Sequence, residues 1–472
     1  MAELKENLAT KSEGHGTGPM KLTDRQINLL HHTFIDYQAT EAFLEHPLII
    51  ERAKGLYYWD TSGKPYFDAI GGIFVASLGH GHPRVMQAMR DQMEKITFAP
   101  PLHSTTNVLL DFVEKLGSVA PGRLKYVKPL SGGSEAVECA LKFTRQYFKQ
   151  TGRPNKYKFV SRYYSYHGGT FGGMGASGSG ARKSKFEPQM DGFLKVFPPS
   201  YYRDRFPTWE EANRFAAKSL EDVILHEDSG TVAAFIVEPI GNTGGIITPT
   251  QEYFQMLRDI CDRYDVLLIF DEVITGFGKT GNMFAAQTFG VTPDIICTGK
   301  GISSGAMPLG AMIAREDMAD AFRGTPEENR FFAHGHTFAG NPLACAAGSA
   351  VIDEILEQDL CAKAERLGNY LRWRLEGLRK YGVVREVRGK GVLLGVELVK
   401  DTSSMEPFPQ LGKELKRTAL EHGIILRIDP TWFAVAPPLI AEEKDIDEMC
   451  DLIEASLRTA LDRVSILEAG RR

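Results

Sequence analysis

Two unbroken apolar runs, VAAFIV (232–237) and VLLIF (266–270), constrain the fold of this chain more than any other feature. Each has strand length and no polar residue marking a solvent face, so each is expected to be a strand buried on both sides. Residues 253–264 between them carry the spacing of a helix. Strand, helix and second buried strand make a parallel βαβ unit with a right-handed crossover, in which ligands collect outside the carboxyl ends of the strands. Glu238 and Asp271 stand at those ends.

The neighbouring sequence extends this unit. Further strands are expected at 124–127, 158–161, 295–297 and 309–314, alternating with helices in one large α/β domain with a mostly parallel central sheet. An aromatic hairpin is expected from 57–60 and 66–70, joined by a polar Gly turn. Beyond residue 345 the pattern becomes helices at 346–358 and 362–378, strands at 392–398 and 424–428, and a last helix from 442. This reads as a smaller α+β domain that combines N- and C-terminal segments. The expected division is an N-terminal segment 1–75 with a disordered start, a large domain 76–340 and a C-terminal small domain 341–472.

With 55 Lys+Arg against 60 Asp+Glu the formal charge is −5, which argues against a nucleic-acid partner. The apolar runs fall short of the roughly 18 residues a membrane helix needs. The opening stretch MAELKENLATKSEGHGTGP lacks the apolar core of a signal peptide, so a cytoplasmic location is expected. Six scattered cysteines without a CxxC pair read as buried, reduced thiols.

Glycine clusters where loops follow strands. Ser131-Gly132-Gly133-Ser134 follows one strand and opens onto a helix, where free N–H groups either bind an anion or form an ordinary helix cap. Asp271 and Val273 share one face of the 266–270 strand while Glu272 points the other way. A buried Asp271 requires a cationic partner, which is either a salt-bridging side chain or a protonated heterocycle with Val273 packed under its ring. Lys300 lies between Gly299 and Gly301 at the end of another strand, either as a surface lysine or as an amine able to form a Schiff base. Gly301 rules out a Walker A loop, which needs Ser or Thr after the lysine. Gly173-x-Gly175-x-x-Gly178 matches a dinucleotide pattern in letters only, since the segment is loop-like and no strand leads into it. His334 and His336 lack a third ligand for a metal. A phosphate cradle, an acid for a ring nitrogen and a Schiff-base lysine together match one cofactor, pyridoxal 5′-phosphate.

At this point the sequence resembles the class III aminotransferases of fold type I, the group of omega-amino acid and amine:pyruvate transaminases. The resemblance runs from about residue 48 to 457 and is carried by SGGSEAVE (131–138), YHGG (166–169), VEPI (237–240), DEVITGFGKTG (271–281), TGKGISSGAMPLGA (298–311), HTFAGNPLACAA (336–347) and VAPPL (435–439). It implies a homodimer with shared active sites. Lys300 would carry the cofactor and move the proton, and Asp271 would keep the pyridine nitrogen protonated. Gly133 and Ser134 would hold the phosphate, with Tyr166 and Val273 on the two ring faces, His167 close by and Glu238 in support. Thr337 would reach the phosphate of the neighbouring subunit's cofactor. Arg427 matches a mobile arginine that binds a substrate carboxylate, and Phe74, Tyr166 and Thr243 stand beside it as further candidate substrate contacts.

Three positions depart from or add to the pattern. Gly132 replaces a frequent Ser, Thr243 replaces the glutamate that pairs with the arginine in 4-aminobutyrate and ornithine members, and Asp429 lies two residues from Arg427. The expected activity is transfer of an amino group from a terminal amine or omega-amino acid to an α-keto acid, with pyruvate as the leading acceptor. A mutase or decarboxylase of the same cofactor is the first alternative. A Rossmann-type NAD-dependent dehydrogenase is the second, and a non-catalytic binding protein the third.

Overall fold

The structure is a computed structural model that describes residues 22–469. The polar opening stretch therefore lies outside the described residues. Seven strands build the central sheet: β4 Leu124–Leu130, β5 Lys158–Arg162, β6 Phe193–Val196, β7 Val232–Val237, β8 Leu267–Asp271, β9 Ile295–Thr298 and β10 Gly310–Arg315. Their order is β4-β10-β9-β8-β7-β5-β6. The pairs from β9 through β8, β7 and β5 to β6 are all parallel, and only β10 runs antiparallel to its neighbours β4 and β9.

The apolar runs have a direct structural cause. Phe235, Val237, Leu268 and Phe270 point into one hydrophobic cluster, while Ala234, Ile236, Leu267 and Ile269 point into another on the opposite face. Both faces are covered, so neither register carries a polar residue. The helix Gln251–Arg263 connects β7 to β8 and buries Tyr253, Phe254, Leu257 and Ile260, with Thr250 capping its start.

The hairpin lies in β1 Ile50–Lys54, β2 Tyr57–Asp60 and β3 Pro65–Asp68, which form an antiparallel sheet. The third sheet contains β11 Val384–Lys390, β12 Leu393–Leu398 and two late strands. The expected single strand at 424–428 divides in two. Ile424 and Ile425 (β13) pair in parallel with Phe67 and Asp68 of the hairpin sheet, whereas β14 Arg427–Asp429 pairs antiparallel with β15 Trp432–Val435. The chain thus changes sheets at Leu426, joining the N- and C-terminal segments and setting Arg427 and Asp429 on one face of a short strand.

The GxGxxG segment also differs from its loop-like reading, because residues Phe171–Ala176 form a short helix. Its glycines serve close packing: a Cβ on Gly175 would lie 2.6 Å from the Phe193 ring, and one on Gly178 would lie 2.1 Å from the Arg162 carbonyl oxygen. All six cysteines are free, five of them buried. Among the described residues no helix is long and apolar enough to cross a membrane.

Candidate active site

The carboxyl ends of β5, β7, β8 and β9 surround a cavity of about 170 Å³. It brings together eight of the residues singled out in the sequence: Gly133, Ser134, Tyr166, His167, Glu238, Asp271, Val273 and Lys300. Gly168, Ile240, Asn242 and Ile274 complete its wall. Phe74 does not line it, being 1% exposed within the main core. Thr243 lies beside Asn242 with its buried Oγ1 unpartnered. Thr337 lines a separate cavity with His334 and His336, and no group of three metal-ligating side chains occurs among the described residues.

Asp271 ends β8 and is buried. Its Oδ1 accepts the Val273 N–H at 3.1 Å, and its Oδ2 lies 2.8 Å from His167 Nδ1. The His167 backbone N–H donates to Ser177 Oγ, and the ring's Nε2 is buried without a partner. Glu238 accepts from the Tyr166 N–H at 3.0 Å and the Asn242 N–H at 3.1 Å. Burial pushes its carboxyl above the ordinary value.

Lys300 follows β9 with a φ of 48°, a left-handed conformation uncommon outside glycine. Burial lowers its ammonium's pKa, against the opposing pull of Asp271 and Glu238. Gly301 must be small here: a Cβ would lie 2.7 Å from Ser77 Oγ and 2.8 Å from Lys279 Nζ. Behind the turn, buried Lys279 donates to Ser77 Oγ at 2.8 Å, and desolvation pushes its pKa down to about 7.

The helix Gly133–Gln150 opens onto the cavity with no side chain capping it. Its first-turn N–H groups have no intrahelical acceptors, so an anion can use them together with the helix dipole. A Cβ on Gly133 would meet both Val273 methyl groups at 2.8 Å, and one on Gly299 would lie 3.1 Å from Gly133 N. Three strand-end loops therefore meet closely here, two of them through glycines. Ser134 Oγ accepts the Gly169 N–H at 3.2 Å, which ties the helix start to the Tyr166 loop.

Residues 39–457 match the model of the aminotransferase class-III family. The chain belongs to the class-III aminotransferases. A probable aminotransferase of Mycobacterium tuberculosis is 38% identical over 429 residues, covering 89% of this chain and 90% of that one. Among solved structures, an (S)-enantioselective omega-transaminase from Thermomicrobium roseum superposes with a TM-score of 0.89 at 34% identity, covering 94% of this chain and all of that one (100%). An amine transaminase from an uncultivated Pseudomonas species, solved with pyridoxal phosphate bound, gives 0.86 at 32% identity, covering 91% and 98%.

This aminotransferase is pyridoxal-phosphate dependent, and its cavity fits that cofactor. The uncapped helix start suits a phosphate, Asp271 suits a ring nitrogen, and the unpartnered His167 Nε2 leaves a polar atom for a bound group. Lys300 supplies an amine with a lowered pKa on the same wall.

Glu272 faces away from this cavity, as its place in the strand requires. It is fully buried, and its carboxylate accepts from Ala285 N at 2.6 Å, Ala286 N at 2.8 Å and Thr275 Oγ1 at 2.9 Å. Burial pushes its pKa up to about 7 despite these bonds. Glu272→Gln puts an NH₂ against a backbone N–H whichever way the amide turns. Loss of about 2–3 kcal/mol is expected, read as a lower thermal midpoint with the visible cofactor spectrum retained.

Proposed function

We propose that this aminotransferase moves the amino group of a terminal amine or omega-amino acid to an α-keto acid such as pyruvate. The observation that carries this reading is the Arg427–Asp429 pair, with Arg427 Nη2 2.6 Å from Asp429 Oδ2 and a threonine at position 243. One pocket must receive an amine that lacks an α-carboxylate and a keto acid that has one. An arginine with its own resting partner meets both needs, because it turns to the carboxylate when one is present and returns to Asp429 otherwise. Burial lowers the Arg427 pKa, while Asp429 opposes that shift.

Bound pyridoxal phosphate supplies the electron sink that makes the substrate's carbon acidic. In our reading Lys300 Nζ would hold the cofactor and, once freed, would take up and give back the proton of the substrate carbon. Its lowered pKa leaves more free amine near neutral pH for that transfer. Asp271, braced by His167 and the Val273 N–H, keeps the ring nitrogen's proton in place. Gly133, Ser134 and the helix start would bind the cofactor's phosphate and Val273 and Tyr166 would take the ring faces, while Glu238 steadies the Tyr166 backbone.

The same reading includes a homodimer with Thr337 serving the neighbouring subunit's phosphate. Support comes from the second cavity, about 750 Å³, where Thr337 lies near Phe98 and the 89% exposed Leu102. An apolar opening of that size suits cover by another chain.

A panel of amines and keto acids tests the activity, and amine consumption that needs no keto acid would sink it in favour of a decarboxylase. In Arg427→Ala, kcat/KM for the pyruvate half-reaction is expected to fall at least about tenfold more than for butylamine. Asp429→Asn, which frees the arginine, is expected to lower the KM for pyruvate. Equal losses in both half-reactions of Arg427→Ala would make the arginine structural.

A further inference from the structure

Arg182 lies in the short helix Gly180–Lys183, a segment with no place in the site as described above. Its guanidinium carbon is 4.8 Å from the centre of the Tyr166 ring and 4.9 Å from that of Tyr37. Tyr166 is a wall of the cofactor cavity. Tyr37 comes from the N-terminal part of the chain and is 75% exposed. Arg182 is half-buried. No carboxylate of the described residues lies within ion-pair distance of it, whereas three other arginines have one. Arg203 and Arg388 share Glu386 and Glu397, and Arg427 has Asp429.

This environment is specific in what it offers. Stacking on π-faces holds a guanidinium in place without using its N–H groups, which lie in the plane of the group and remain available to a carboxylate. Its charge also bears on the site, since after burial and the neighbouring carboxylates Arg182 is among the influences that lower the pKa of both Lys300 and Arg427. The two arginines act on each other, and neither lines the cavity itself. One is neutralised by Asp429, and the other is not, leaving one positive charge uncompensated.

We infer that Arg182, held between Tyr166 and Tyr37, is a specificity-determining residue that binds the carboxylate of the acceptor keto acid. The inference rests on the proposed keto-acid half-reaction, but it assigns the resting charge to a different residue from the mobile Arg427. Arg427 joins only after leaving Asp429, so Arg182 provides the first attraction. An amine without a carboxylate does not engage it.

Two measurements on the holoenzyme decide this. In calorimetric titration with propionate, an unreactive monocarboxylate, Arg182→Gln is expected to weaken binding at least about tenfold. Arg182→Lys, which keeps the charge but not the planar fork, should fall between the two. Followed by the cofactor's spectrum, the pyruvate half-reaction of Arg182→Gln should lose at least about tenfold more in kcat/KM than the butylamine half-reaction. Unchanged propionate affinity in Arg182→Gln overturns the assignment, as do equal losses in both half-reactions. If the wild type accepts no keto acid, the proposed function fails on that count, while the propionate titration still decides for or against Arg182.

Discussion

Lys300→Ala is expected to stop turnover while leaving the fold intact. Losing the positioned acid–base group alone costs about 10²–10⁴-fold in rate, and losing the amine that holds the cofactor adds to that. Stability should barely change, for two reasons visible in the structure. Alanine and lysine share the same cost at a φ of 48°, so the backbone penalty is not altered. The lysine's charge is also disfavoured by desolvation, so removing it sacrifices no stabilising ion pair. Cofactor should still bind through the helix start at Gly133, but without a borohydride-reducible link to the protein. Added small amines should restore part of the rate by replacing the missing Nζ. Intact mass after borohydride treatment checks the assignment directly: a variant that still traps cofactor covalently would mean that another lysine side chain, with buried Lys279 the first to examine, does this work. The rate of proton transfer in the wild type should rise with pH through the lysine's lowered pKa, because the free amine is the base. That limb should vanish from any residual activity of Lys300→Ala.

What was readable in the sequence follows from what local pattern records. β7 and β8 were legible because burial on both faces removes polar residues from a strand, and Asp271 then stands out as the first charge after the run. Lys300 was legible through its flanking glycines, whose structural cause is the crowding by Gly133, Ser77 and Lys279. The break at Leu426 was not legible, since Ile424 and Ile428 are equally good strand residues and only their partners, Phe67 and Phe433, decide which sheet each joins. The His167–Asp271 pair spans 104 positions and has no local mark. Ile240 and Asn242 are reached by following the chain past Glu238, whose carboxylate accepts the Asn242 N–H. Arg182 had no such signal: its helix is too short for a periodic stripe, and its setting depends on rings from two distant segments.

Asp271→Asn is expected to lower the single-turnover rate of substrate deprotonation about 10²–10³-fold, in the range found when one preorganised electrostatic partner is lost. The two side chains have the same shape, so the argument turns on hydrogen bonds and charge. Val273 N–H donates to one carboxylate oxygen, and His167 Nδ1 lies against the other. An asparagine amide can keep its oxygen toward Val273 and turn its NH₂ to His167, provided that the ring presents Nδ1 as an acceptor. The proton then moves to Nε2, which is buried and unpartnered. That rearrangement costs about 1–3 kcal/mol, enough to lower the thermal midpoint by a few degrees but not to unfold the chain. A neutral amide has no charge with which to hold a proton on the ring nitrogen, so the carbon acid loses most of its activation while the phosphate and Lys300 contacts persist. Cofactor affinity should therefore fall much less than the rate. Single-turnover spectroscopy beside a cofactor titration separates these effects. Near-normal deprotonation in Asp271→Asn would reduce Asp271 to a structural carboxylate serving His167, whereas parallel collapse of affinity and rate would show that the acid mainly anchors the cofactor. A large loss in rate with nearly preserved binding is the result that its position at the end of β8, opposite Lys300's strand-end turn, leads us to expect.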